Sequence, residues 1–98
     1  MSFKTILTED QRLVMLRALE QDAGYDLNES ILQSFLGAYG HSVSRDKVRT
    51  ELRWLEEQGL VTINEVAAIL VATLTGRGAD VAKGLAVVDG VKRPRPGA

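Results

Sequence analysis

The spacing of hydrophobic residues changes at Gly59, and that change limits the folds open to this chain. Before it, Val48, Leu52 and Leu55 recur at helical intervals of about 3.6 residues. After it come Leu60-Val61-Thr62-Ile63 and Ile69-Leu70-Val71-Ala72-Thr73-Leu74, both rich in the branched residues that favour strands. The link Asn64-Glu65-Val66-Ala67-Ala68 makes these two runs a hairpin. A chain of 98 residues holds one core, so helices and hairpin must share it.

Upstream of that change the pattern is helical. Thr8-Glu9-Asp10-Gln11 fits a capping box, which predicts a first helix from Thr8 to about Gln21. Its apolar residues form a wide arc (Leu13, Met15, Leu16, Leu19) with a second flank at Val14 and Ala18. So much apolar surface suits either a helix wedged between two elements of its own fold or a dimer contact. A second helix, capped by Asp26 or Asn28, should bury Ile31, Leu32, Phe35, Leu36 and Tyr39 as one stripe and stop at Gly40. Only His41-Ser42-Val43 then separates Gly40 from Ser44, the expected cap of a third helix. Val43 and Val48 stand at the two positions of a hydrophobic staple, and Gly59 supplies the stop. Helix, short turn with glycine, capped helix is a helix-turn-helix signature. Past the hairpin, Thr75 caps a short fourth helix over about residues 76–83, with Val81 and Ala82 inward and Gly84 ending it.

Residues 85–98 contain two prolines and the basic cluster Lys92-Arg93-Pro94-Arg95-Pro96. The organisation expected is therefore a domain over 1–84 and an extended or flexible basic tail over 85–98, with Leu85-Ala86-Val87-Val88 as the part able to dock.

Composition closes off several classes. At 45% hydrophobic and 26% charged the chain is neither disordered nor fibrous. No apolar run approaches the ~18 residues of a membrane span and no basic-then-apolar leader opens the chain, so a cytoplasmic protein is expected. With no cysteine and a single histidine, thiol chemistry and His-rich metal clusters are excluded. Net charge is −1, but unevenly spread. Residues 1–40 carry three basic and six acidic groups, and residues 41–98 carry nine basic and seven acidic. A surface facing a polyanion must lie in the second part.

Two stretches resemble a known family. Leu52-Arg53-Trp54-Leu55-Glu56-Glu57-Gln58-Gly59-Leu60-Val61 and Leu74-Thr75-Gly76-Arg77-Gly78 are similar to the helix-to-wing junction and the post-wing helix start of winged helix-turn-helix regulators of the MarR, ArsR and PadR type. The whole chain, through Val88-Asp89-Gly90-Val91-Lys92-Arg93-Pro94, also resembles small winged-helix proteins of Mu-like phages and prophages. The resemblance implies an α+β, mostly α fold: a three-helix bundle, a β-hairpin wing, a short fourth helix and an extended C-terminal tail. It also implies double-stranded DNA as the partner and a role in transcription regulation, and the few phosphates that one chain could neutralise are a reason to expect a homodimer.

At about 100° per residue, Arg45, Arg49 and Arg53 stack along one flank of the third helix, which in this fold enters the major groove. Arg49 and Thr50 are then the base-edge candidates, with Ser44, Arg45, Lys47 and Arg53 nearer the DNA backbone and Arg77 able to touch a phosphate. Lys92, Arg93 and Arg95 could form an arm. The bland alternative is a solvated face with intrahelical pairs Lys47–Glu51 and Arg53–Glu57. The wing tip carries Glu65 and no cation, which argues against minor-groove insertion. Trp54 should cover the wing strands or fill a partner's pocket. His41 has no carboxylate at a fixed spacing, Gly76-Arg77-Gly78 lacks the rest of a phosphate loop, and the other carboxylates show no metal-ligand spacing. No enzyme, cofactor or metal is therefore expected. The competing function is a phage protein–protein assembly module, in packaging or the virion, that reuses the fold.

Overall fold

Ser2 starts the first helix, not Thr8. Its hydroxyl accepts a hydrogen bond from the Thr5 amide at 3.1 Å, so the helix opens well before the capping box that the sequence suggests. The computed structural model describes residues 1–95. Its elements are α1 (Phe3–Gln21), β1 (Asp26–Asn28), α2 (Glu29–Ala38), α3 (Arg45–Glu57), β2 (Val61–Val66), β3 (Ile69–Leu74) and α4 (Gly76–Lys83). Four helices and a three-stranded antiparallel sheet of order β1-β3-β2 make an α+β architecture compatible with a winged helix.

Both apolar flanks of α1 are used inside the chain. Leu13, Val14, Met15, Leu16, Ala18 and Leu19 are all buried, and α1 packs on α2, α4 and β3. The internal wedge therefore accounts for the wide arc. Around it, Leu32, Leu36, Val48, Leu52, Leu55, Leu60 and Leu70 complete the core. The α2 stripe is narrower than expected, because Ile31 and Tyr39 remain 49% and 60% exposed. At the other three helices the capping side chains Asn28, Ser44 and Thr75 each accept from an amide three residues on, as their positions predict.

Strand β1 is the element hidden from the sequence. Three residues give no readable period, yet Asp26, Leu27 and Asn28 pair with Thr73, Ala72 and Val71. The hairpin is also tighter than the five-residue link expected. Val66 pairs with Ile69, which leaves Ala67 and Ala68 as a two-residue turn with φ of 50° and 65°. Two positive φ values suit a turn whose twist matches the strands, normally built with Asn or Gly. Alanine gives no such signal, and holding it there costs about 1 kcal/mol or more per residue.

The stretch after α4 is held down along much of its course. Val88 and Val91 are buried, whereas Leu85 and Val87 are exposed. The Lys92 amide donates to the Glu9 carbonyl at 3.2 Å, and the Arg12 guanidinium donates to the Gly90 carbonyl at 2.8 Å. Gly90 has φ of 99°, and a Cβ there would come within 2.7 Å of the Trp54 ring. Only glycine lets the chain pass under that indole. The tail's last residues, 96–98 including Pro96, lie outside the described residues.

Candidate nucleic-acid interface

The flank of α3 is held in place from behind. Val48, Leu52 and Leu55 are buried, and Val43 packs against the same core. Outward residues then follow from the 3.6-residue repeat, and Ser44, Arg45, Thr50 and Arg53 are exposed. The Ser44 hydroxyl accepts from the Lys47 amide at 3.1 Å, so part of its hydrogen-bonding capacity caps the helix. Arg45 donates through Nε to Gln33 Oε1 at 2.8 Å, a neutral partner that leaves its charge uncompensated.

The other cations are committed to carboxylates. Arg49 Nε lies 3.6 Å from Glu29 Oε2, and Glu29 is only 1% exposed. The second Glu29 oxygen accepts from the Leu70 amide at 2.9 Å. Glu29 thus fastens the start of α2 to the sheet, and Arg49 supplies the cation that a buried carboxylate needs. The leading base-edge candidate is first of all a structural counter-ion. Arg53 pairs with Glu56 at 3.1 Å and with Glu65 of the hairpin at 3.6 Å. The intrahelical partner is Glu56, one residue before the Glu57 that i,i+4 spacing favours.

Lys47 points away from the flank. Its Nζ donates to Glu51 Oε2 at 2.8 Å and to the Thr8 hydroxyl at 3.0 Å. Glu51, only 4% exposed, also accepts from Arg12 Nε at 2.7 Å. The Arg12 guanidinium lies 3.7 Å from the Trp54 ring centroid. Trp54 therefore covers Arg12 and Gly90 of the tail. Arg77 donates to the Gln58 carbonyl at 2.8 Å, at the C-terminal end of α3. That is about 20 Å along the axis from Ser44, so Arg77 stands apart from the start of the helix.

His41 does find a carboxylate, from a distant part of the chain. Its Nε2 lies 2.6 Å from Asp10 Oδ2, and Lys92 Nζ approaches the other Asp10 oxygen at 3.4 Å. This cluster joins α1, the α2–α3 turn and the tail. Burial works to raise the Asp10 pKa, but the hydrogen bonds and positive charge of His41 and Lys92 outweigh it and hold the carboxyl below its ordinary 3.8. A carboxyl lowered in the folded state stabilises the fold above pH 3.8, and that contribution is lost as pH falls through the lowered value.

A second basic region escaped the sequence reading. Arg17 of α1, Lys83 at the end of α4, and Arg93 and Arg95 of the tail line one cleft of about 960 Å³ with Phe35 and Tyr39. Arg93 and Arg95 read as an arm, and Phe35 and Tyr39 as core. Nothing in linear spacing brings these four segments together. Among the described residues no helix is long and apolar enough to cross a membrane.

Comparison with known proteins places the chain among small phage-associated proteins. It is 60% identical over 91 residues to the uncharacterized protein gp26 of Escherichia phage Mu, covering 93% of this chain and 94% of that protein. It is 58% identical over 78 residues to an uncharacterized protein of Haemophilus influenzae, covering 79% of this chain and 76% of that one. The chain belongs to the same family as gp26 of phage Mu. No family model matches it.

Proposed function

We propose that this protein is a winged-helix DNA-binding protein of a phage or prophage that docks α3 in the major groove of double-stranded DNA. The observation that carries the reading is the order and pairing of elements. A short strand between α1 and α2 joins the hairpin in a three-stranded sheet, α3 is capped by Ser44, and the hairpin follows directly as a wing. Helices arranged in this way present their second helix-turn-helix segment to the groove. Arg45, Thr50 and Arg53 are the exposed contacts, with Arg49 reaching the same flank from its partner Glu29. Arg53 can exchange exposed carboxylates for phosphates, because such surface pairs are worth about 0–1 kcal/mol. Action as a homodimer would double the few contacts per chain, and the role this reading assigns is regulation of transcription in the cytoplasm of the host.

The compensated charges favour a second reading. Arg49 and Arg53 each face an acid, the wing tip has no cation, and the net charge is −1. A module for assembly with other phage proteins would need nothing more. Titration of mixed-sequence double-stranded DNA against salt separates the two, comparing the wild type with Arg45→Ala plus Arg53→Ala. Arg49 is left intact, since its loss would disturb Glu29. DNA binding predicts affinity that falls steeply with salt, and a slope reduced by roughly 2 in the variant. No binding at ~50 mM salt, where phosphate contacts are strongest, would replace this reading with assembly.

A further inference from the structure

The cleft between α1, the end of α2, the end of α4 and the tail is chemically unlike the α3 flank. Among the described residues, no carboxylate pairs with Arg17, Lys83, Arg93 or Arg95, whereas Arg49 and Arg53 are each compensated. Among the described residues Glu20 is the single acid on the lining, which leaves three positive charges in excess there. Such a concentration of cations, on a chain that is acidic overall, repels itself and favours an anionic ligand.

The aromatic component narrows the class of anion. Tyr39 stacks on Phe35 with ring centroids 5.0 Å apart and 23° between planes. Phe35 backs one face, and 60% of Tyr39 stays in solvent. A ring held flat against a partner and left this exposed gains little from burial and forms a platform for another flat group. Three guanidinium groups suit phosphate oxygens in a forked geometry. Cations beside a stacking platform, in an open trough, form the pattern that follows a single strand by its backbone while bases stack on aromatic rings. An acidic peptide would satisfy the cations equally well but leave the platform unused.

We infer that this cleft binds single-stranded nucleic acid, with a base stacked on Tyr39 and the flanking phosphates on Arg17, Lys83, Arg93 and Arg95. The site is separate from α3 and stands whether or not α3 enters a duplex.

The test is fluorescence anisotropy of a labelled oligo(dT) of about 12 nucleotides, at salt from ~50 mM upward. For the full chain, neutralising four phosphates predicts a slope of log affinity against log salt near −3, at about −0.7 per phosphate. Lys83→Ala plus Arg93→Ala, both exposed positions, should reduce its size by about 1.4. Tyr39→Ala should weaken binding about tenfold, Tyr39→Phe should keep it, and Arg45→Ala plus Arg53→Ala should leave it unchanged. The unfolding midpoint of each variant confirms that the fold persists. Three results would overturn the inference: no binding at ~50 mM salt, binding indifferent to Tyr39→Ala, or displacement by polyglutamate as readily as by oligo(dT). The last would assign the cleft to an acidic protein segment.

Discussion

Two groups of arginines lie on this protein, and they differ in what surrounds them. Along α3 two of the three arginines are answered, Arg49 by the buried Glu29 and Arg53 by Glu56 and Glu65, while Arg45 meets only the neutral Gln33. In the cleft, Arg17, Lys83, Arg93 and Arg95 share one lining, with Glu20 its only acid among the described residues. The first arrangement is what a helix needs to be seated: a counter-ion for a carboxylate trapped beneath it, and weak pairs at its edge. The second meets no paired carboxylate among the described residues, and like charges held together destabilise a fold. Linear spacing alone, with three arginines one turn apart on a single helix, ranks the α3 flank first. Compensation reverses that order and separates charges that hold the structure from charges available to a ligand.

The comparison can be broken most forcefully at Gly90, on which the cleft depends. Gly90→Ala combines a positive φ with a Cβ pressed onto Trp54. It should cost about 3 kcal/mol in a urea melt and lift the tail from Arg12. Binding to the α3 flank should survive where the cleft is lost. Unchanged stability would mean that the tail is not held as described.

Arg49→Ala gives the next largest effect. It leaves Glu29 buried opposite no cation, and should cost about 2 kcal/mol, reduced from the full buried-pair penalty because Arg49 itself is 40% exposed. Adding Glu29→Gln should recover most of that loss, measured as a double-mutant cycle. Equal losses in the single and double variants would show that Arg49 is not the counter-ion.

The smallest effects sharpen the contrast further. Arg53→Ala should change stability by less than about 0.5 kcal/mol, since its partners are exposed. Lys83→Ala should be neutral or slightly stabilising, because it relieves repulsion in the cleft. A clear loss at Lys83, read as a lower unfolding midpoint, would mean that the cleft cations are tied into the fold after all.

Much of the architecture could be read along the chain. Ser44, Thr75, Gly59 and Gly84 punctuate helices by local chemistry, and each stands where that chemistry predicts. The inward set Val48, Leu52 and Leu55 follows from period alone. Local signals misled where they were outbid. The capping box at Thr8 is real as a sequence, but Ser2 offers an earlier cap and the intervening residues continue the helix. Strand β1 and the two-alanine turn carry no signal because both are imposed by β3.

The site was less legible, for a physical reason. A helical wheel states which way a side chain leaves its own axis, and it located Arg45, Arg49 and Arg53 on one flank. It cannot say what a neighbouring element brings to meet them. Glu29 reaches Arg49 from α2, Glu65 reaches Arg53 from the hairpin, and Asp10 reaches His41 from α1.

The sequence by itself therefore determined the helices, three of their four caps, the inward face of α3 and the change to a hairpin, all of which depend on interactions a few residues apart. Tertiary structure alone decided which charges are neutralised, where the tail lies and that a basic aromatic cleft exists. Those properties depend on distances between residues remote along the chain, set only once the core closes and brings α1, α2, α4 and the tail together.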